Sequence, residues 1–178
     1  MLLIGGSTRA GSTTEAVLRT AHDLAGARTV LYDELAALPA FNPDHDRAPL
    51  PPAVDRLRRA IHDADSVLFC TPEYAGALPG SFKNLLDWTV GDPAAGSMYR
   101  KPVAWINASS SGTGAHGAHD SLATVLGYVG ADIVDAACRH IPVARDAVGA
   151  DGLIADPEVR DGIAAVVAAL EKRSVSGP

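Results

Sequence analysis

The chain has 178 residues, of which 47% are hydrophobic, and its formal net charge is −6. These values predict one domain, residues 1–178, with a sizeable core, and they argue against disorder and, without a Lys/Arg cluster, against a nucleic-acid partner. The apolar start at residues 1–4 is too short for a signal peptide, and no apolar run is long enough to span a membrane. Cys70 and Cys138 lie in apolar runs typical of buried, reduced thiols. We therefore expect a soluble cytoplasmic protein with no membrane partner.

Short apolar runs alternate with helical periodicity along the chain. Five runs predict strands, at residues 2–4, 28–32, 66–70, 102–107 and 133–138. A segment with one apolar helical face follows each of them. Because parallel strands need helices on both faces of the sheet, this order predicts a doubly wound α/β sandwich.

The loop after the first strand is rich in hydroxyl groups. It offers the side chains of Ser7, Arg9, Ser12, Thr13 and Thr14 directly before a helix. A helix N-terminus carries unpaired N–H groups and a partial positive charge, and the arginine fork suits a phosphate. The pattern therefore predicts a phosphate site, although the Gly-Lys-Ser/Thr ending of a P-loop is absent. The alternative is that Ser12 or Thr13 only caps the helix.

The loop after the third strand mixes proline, which fixes φ, with glycine, which permits positive φ. A defined shape is expected. Ligands of open parallel sheets bind outside the carboxyl ends of the strands, so this loop supplies candidate contacts: Pro72, Glu73, Tyr74, Ala75 and Gly76. The alternative is a well-formed turn that binds nothing.

Small residues fill the loop after the fourth strand. Residues 112–117 match G-x-G-x-x-G, and Asp132 follows at the spacing of a pyridine-dinucleotide fingerprint. However, three serines separate the strand from Gly112, and Asp132 precedes its strand. We favour a loop that lets a flat ligand approach its backbone, with the candidate contacts Ser109, Ser110, Ser111, Gly112 and Gly114. A plain flexible loop is the alternative.

Three such loops at one edge of a sheet, one suited to a phosphate and two with exposed backbone, fit a phosphorylated planar cofactor such as flavin mononucleotide (FMN). Three segments then resemble the NAD(P)H-dependent FMN reductases, a flavodoxin-like group with chromate-, quinone- and azo-reducing members. Residues 6–12 resemble its G-S-x-R-x-x-S loop, residues 38–44 its L-P-x-[YF]-N-x-D connection, and residues 72–88 its P-E-Y-N…P-G-x-L-K-N-x-x-D-W run. Thr14 and Ala75 stand where this family often has Asn, and Phe82 where it usually has Leu.

The resemblance implies a flavodoxin-like three-layer sandwich with a five-stranded parallel sheet in the order 2-1-3-4-5. It implies an NAD(P)H-dependent FMN oxidoreductase that moves hydride from NADPH or NADH, through FMN, to a flavin, quinone or similar small-molecule acceptor by a ping-pong mechanism. The first loop would hold the FMN phosphate, residues 72–76 would line the ribityl chain and ring, and residues 109–114 would flank the ring. A homodimer or homotetramer is also implied, with the flavin at a subunit interface.

No catalytic side chain and no metal are expected, because the flavin supplies the chemistry. His116 and His119 lie near the fourth loop, but a solvated or capping role is expected for both. The alternative from another functional class is a flavodoxin-like FMN electron carrier without an NAD(P)H site. A pyridine-dinucleotide binder that uses residues 112–117 is a third alternative.

Overall fold

The computed structural model describes residues 1–92, 94, 97–112 and 114–176. Within them the strands are β1 (Leu2–Gly5), β2 (Val30–Tyr32), β3 (Val67–Cys70), β4 (Pro102–Asn107), β5 (Asp132–Ile133) and β6 (Arg139–His140). The helices are α1 (Thr13–Ala25), α2 (Pro52–Asp63), α3 (Gly80–Val90), α4 (His116–Tyr128) and α5 (Pro157–Ser176). No helix in these residues has the length and apolar character needed to cross a bilayer.

The strands form one parallel arrangement in the order β2-β1-β3-β4-β5. In register, Leu2 of β1 pairs with Val30 of β2 and with Val67 of β3, while Val67 also pairs with Val103 of β4. This is the flavodoxin-like strand order, in which the order of strand addition reverses between β1 and β3 while all strands stay parallel. The predicted order 2-1-3-4-5 is therefore confirmed.

The fifth strand differs from the prediction of one strand over residues 133–138. Two short strands, β5 and β6, both pair with β4, and a 3-10 turn at Asp135–Ala137 separates them. The turn forms because the N–H of Ala137 donates to the carbonyl of Val134 at 2.8 Å, which takes the chain off the β4 ladder. Ala137 is fully buried in the core below the sheet, so packing of this side chain outweighs a continuous ladder at the sheet edge.

Helices cover both faces of the sheet. Successive strand residues point to opposite faces, so Leu2 and Ile4 pack with α2, α3 and α4, whereas Leu3 packs with α1 and α5. The same alternation sends Phe69 to the first core and Leu68 to the second. The predicted three-layer sandwich is therefore confirmed.

The connection at residues 38–44 is fastened to α3 by polar and aromatic contacts. The side-chain amide of Asn84 donates to the carbonyl of Pro39 at 2.9 Å and accepts from the N–H of Phe41 at 2.7 Å. The indole N–H of Trp88 also donates to the carbonyl of Pro39, at 2.9 Å, and its ring meets Phe41 edge to face at 4.9 Å between centroids. The motif at residues 38–44 thus packs against the motif at residues 72–88.

Both cysteines are free thiols in the interior, Cys70 fully buried and Cys138 half-buried. Burial raises the pKa of Cys70 to about 12 and that of Cys138 to about 11. Neither thiol is therefore ionised near neutral pH.

Candidate functional site

The loops that follow β1, β3 and β4 meet at the carboxyl edge of the sheet. They enclose a cavity of about 300 Å³. All three loops contribute to its lining, with Thr13, Thr14, Pro72, Glu73, Ser109, Ser110 and Ser111. The position is the switch point of the sheet, where ligands of open α/β folds bind. We name this the flavin cavity, after the ligand that the sequence resemblance implies for these loops.

A close backbone approach brings the first two loops together. A Cβ on Gly6 would lie 2.1 Å from the hydroxyl oxygen of Thr71. The N–H of Gly6 donates to the carbonyl of Cys70 at 2.9 Å, so the β1 loop stays beside β3. Only glycine leaves room for this contact.

The predicted phosphate residues are divided between two sides of the first loop. Thr13 and Thr14 line the flavin cavity. Ser7, Arg9 and Ser12 instead line a second cavity of about 410 Å³ on the side of β2, and Thr14 belongs to both. We name this second space the β2-side cavity.

Two of the serines support the backbone of this loop. The Ser12 hydroxyl oxygen accepts from the N–H of Glu15 at 3.2 Å, so Ser12 caps α1. It also lies 3.0 Å from the hydroxyl oxygen of Thr14. The Ser7 hydroxyl accepts from the N–H of Arg9 at 3.2 Å. What remains for an anion is the N–H groups of Thr13 and Thr14 at the start of α1, the Thr13 hydroxyl and the exposed Arg9 guanidinium.

The β3 loop forms a tight turn at its exposed tip. Tyr74 and Ala77 exchange two backbone hydrogen bonds of 3.0 and 3.1 Å. Between them, Ala75 has a φ of 52° and Gly76 a φ of 73°. Two successive positive φ angles characterise a type I′ turn, whose preferred residue pair is Asn-Gly. The predicted contacts Tyr74, Ala75 and Gly76 thus stand outside the flavin cavity, and a backbone preference explains why Asn suits position 75.

Glu73 fastens the β3 loop to α4. Its carboxylate accepts from the N–H of Ala118 at 3.1 Å, within the first turn of that helix. A carboxylate there is favoured by the helix dipole. At the same contact a Cβ on Gly117 would lie 2.2 Å from the carbonyl oxygen of Gly76. Glu73 therefore has a structural role besides lining the cavity, which the local sequence did not indicate.

Asn107, the last residue of β4, closes the fourth loop. Its side chain is buried, donates to the carbonyl of Gly114 at 2.6 Å and accepts from the N–H of Ser109 at 3.0 Å. The ring Nε2–H of His140 donates to the carbonyl of Ser109 at 2.7 Å. Sequence reasoning missed both residues. An Asn that binds the N–H two residues further on is a recognised turn signal, so Asn107 could have been found.

The two histidines near this loop differ in burial. His116 is exposed at the start of α4. His119 is buried, its Nδ1–H donates to the carbonyl of Ala115 at 2.8 Å, and burial lowers its pKa. The expectation of a solvated or capping role is therefore wrong for His119, because its side chain is buried and bonds to a carbonyl of the preceding turn.

The dinucleotide fingerprint is not assembled here. Asp132 begins β5 beside Pro102, the first residue of β4, and thus lies at the amino edge of the sheet, opposite the loop. Its carboxylate pairs with Arg173 at 2.9 Å. Gly112 is exposed, and Thr113 lies outside the described residues.

The donor set of the flavin cavity suits a phosphorylated, planar, largely neutral ligand. Among the residues that line it, the acidic one is Glu73, whose carboxylate is already bound to Ala118. Ala108 and Val143 give the far wall an apolar surface. The end of the cavity at Thr13 and Thr14, in contrast, lies at the N-terminus of α1, where the helix dipole is positive and suits a phosphate. These features fit FMN.

Comparison with known proteins agrees with this geometry. The sequence profile of the NADPH-dependent FMN reductases matches residues 1–146. The chain belongs to this family. It is therefore an NAD(P)H-dependent flavin oxidoreductase, with FMN as cofactor and NAD(P)H as co-substrate.

Individual relatives cover most of the reductase. It is 31% identical over 172 residues to an NAD(P)H-dependent FMN reductase of Pseudomonas aeruginosa, over 96% of this chain and 92% of that protein. It is 30% identical over 143 residues to a quinone reductase of Pseudomonas putida, over 80% of this chain and 74% of that protein. Among solved structures, the flavoenzyme FerB, an NAD(P)H:(acceptor) oxidoreductase from Paracoccus denitrificans, has a TM-score of 0.77 at 30% identity and 96% coverage of both chains.

Proposed function

We propose that this reductase binds FMN in the flavin cavity and moves reducing equivalents from NADPH or NADH to a small quinone or flavin. The observation that carries the proposal is one cavity, at the switch point of the sheet, with walls from the β1, β3 and β4 loops. Bound FMN supplies the hydride chemistry. The chain itself binds and orients the cofactor and excludes water.

In this proposal the N–H groups of Thr13 and Thr14 at the start of α1 bind the phosphate, together with the hydroxyls of these two residues. Ser7 and Ser12 hold the loop in shape through their bonds to backbone N–H groups. Ser7 keeps its O–H to donate, whereas the contact between Ser12 and Thr14 uses one of their two O–H groups and leaves the other for the phosphate. Arg9 supplies the counter-charge, because its guanidinium makes no hydrogen bond or ion pair within the described residues.

The flavin ring and ribityl chain would lie between the loop after β3 and the loop after β4. Pro72 and Glu73 form one wall, and Ser109, Ser110 and Ser111 form the other. The predicted contacts Gly112 and Gly114 follow in the same loop but do not line the cavity. Tyr74, Ala75 and Gly76 would cover the outer edge of the ring. Glu73 is the lining carboxylate, and one of its oxygens holds the N–H of Ala118; in this proposal it positions the loop and the product proton comes from solvent.

We also propose that residues 1–178 form one domain and that the chain assembles as a homodimer or homotetramer that completes the outer side of the site. Exposed aromatic residues support this assembly: Tyr74, Tyr99 and Tyr128 are 55%, 68% and 85% exposed. The two free, interior thiols suit a reducing compartment, so we place the enzyme in the cytoplasm. Light scattering of the protein with and without FMN tests the assembly.

The decisive experiment is a titration of flavin-free protein with FMN, followed by anaerobic addition of NADPH and then NADH. Quenching of flavin fluorescence and rapid bleaching of the bound flavin would support the reductase. Parallel lines in double-reciprocal plots, with a quinone as acceptor, would support the ping-pong order. Bound flavin that stays oxidised with both nicotinamides would instead indicate the electron carrier, and failure to bind FMN would refute the proposal.

A further inference from the structure

The β2-side cavity is larger than the flavin cavity, at about 410 Å³ against about 300 Å³. The two spaces lie on opposite sides of the loop after β1, which we call the phosphate loop, and Thr14 contributes to the lining of both. A phosphate on that loop would thus stand between them. The FMN proposal places the flavin on one side of the loop and uses Ser7, Arg9 and Ser12 only for its phosphate, which leaves the rest of the β2-side cavity without an assigned ligand.

The lining of the β2-side cavity is amphipathic. Its apolar part consists of Leu18, Leu31, Leu35 and Ala36, and Leu31 is 36% exposed. An exposed apolar surface inside a concave site is the ordinary setting for a flat, apolar ring.

Two groups of opposite charge flank this surface. Arg9 comes from the phosphate loop, and Asp33 follows directly after β2. In the described part of the chain, neither side chain makes a hydrogen bond or ion pair. The other charged residues of the cavity are already paired, because Arg19 binds Glu15 at 3.1 Å. Asp33 is therefore available to a ligand, and Arg9 would be shared with the flavin phosphate.

We propose that the β2-side cavity binds an adenosine 5′-phosphate group, with adenine on the Leu31–Ala36 surface, the ribose hydroxyls on Asp33 and the phosphate toward Arg9. A carboxylate at the end of the second strand is suited to the two ribose hydroxyls, because it accepts from both at once. The arginine fork is suited to the phosphate. This inference rests on the proposed FMN site, since it places the new group across the same loop.

Two molecules carry this group into such an enzyme. One is flavin adenine dinucleotide (FAD), whose AMP half would continue from the flavin phosphate across the loop. The other is NADPH or NADH, whose adenosine half would lie here while the nicotinamide reaches the flavin. Both molecules contain the same adenosine 5′-phosphate group, and the binding experiments below distinguish which of them supplies it.

The test uses AMP as the probe, with calorimetry on FMN-loaded protein. Ala36→Phe fills the apolar surface, and Ala37→Phe is the matched control, since Ala37 is exposed in the same 3-10 turn and does not line the cavity. We expect Ala36→Phe to raise the Kd of AMP about tenfold or more, and Ala37→Phe to change it by less than about twofold. The Kd of FMN should not change in either variant.

A second variant reports the ribose contact. Asp33→Asn should weaken AMP but not 2′,3′-dideoxy-AMP, which lacks the hydroxyls that the carboxylate accepts from. Tighter binding of FAD than of FMN to flavin-free protein, with the difference lost in Ala36→Phe, would identify FAD as the source. Competition of AMP with NADPH, without a preference for FAD, would identify the nicotinamide nucleotide.

Three results would overturn the proposal. They are no AMP binding to FMN-loaded protein, AMP binding that Ala36→Phe leaves unchanged, and AMP that binds only flavin-free protein and is displaced by FMN. Failure of FMN itself to bind would instead refute the proposed function. The two failures are distinguishable, because AMP calorimetry on flavin-free Ala36→Phe and Ala37→Phe still reports on the cavity.

Discussion

Replacing Ala75 with Asn is expected to stabilise the flavin-free fold. Ala75 has a φ of 52°, in the left-handed region, which costs an ordinary residue roughly 1–2 kcal/mol. Asn tolerates this region because its short polar side chain bonds to the local backbone, and Asn-Gly is the preferred pair for a type I′ turn. Since residue 75 is exposed at the tip of the turn, the longer side chain meets no packed neighbour. We expect a gain of about 0.5–1 kcal/mol in the free energy of unfolding, or about 1–4 °C in Tm.

The assay is urea and thermal unfolding of flavin-free protein, with Ala77→Asn as the matched control. Ala77 is exposed in the same turn but does not have a positive φ, so its replacement should bring no gain. FMN should also bind more tightly to Ala75→Asn, because the loop is better preorganised. Equal stability changes in both variants would refute the backbone explanation. Tighter FMN binding without any gain in stability would show that residue 75 acts by touching the flavin.

Three further outcomes follow from the contacts described above. Asn107→Ala removes both bonds that close the fourth loop, so FMN fluorescence titration should give a Kd about tenfold higher. Burial holds the pKa of His119 below its ordinary value of 6.5. As the pH drops below that value, the unfolded chain takes up the proton first, so the free energy of unfolding should fall. Urea unfolding at a series of pH values should show a shallower fall in His119→Gln but not in the exposed-site variant His45→Gln. Cys70 and Cys138, with pKa values near 12 and 11, should react with Ellman's reagent slowly in native protein and rapidly in urea.

Local signals predicted most of the fold. The apolar runs gave β1, β3 and β4 nearly to the residue, and Ser12 and Gly26 do cap α1 as their residue types suggest. Periodicity works for these elements because each buries its apolar face in the simplest way. The prediction of one fifth strand over residues 133–138 was wrong, because its apolar residues have two different environments. Ile133 continues the sheet, while Ala137 packs in the core below it.

The site was predicted less completely. The three loops were identified from their composition, but the cavity between them depends on contacts between distant residues, such as Glu73 with Ala118. The turn at residues 74–77 could have been predicted, since its Ala-Gly pair occupies the place of Asn-Gly. The division of the phosphate loop between two cavities could not, because it depends on how β2 lies beside β1.

The contact between Gly6 and Thr71 has a consequence for how this family can vary. Any side chain at position 6 would collide with the hydroxyl and Cβ of Thr71, at 2.1 and 2.6 Å. A substitution at position 6 alone should therefore be selected against, whereas alanine at position 6 together with glycine at position 71 removes the two closest contacts and leaves the ring carbon of Phe82, at 3.0 Å, to shift. Substitutions at positions 6 and 71 are therefore expected to be correlated among relatives. A relative with a larger residue at position 6 is expected to have a smaller one at position 71.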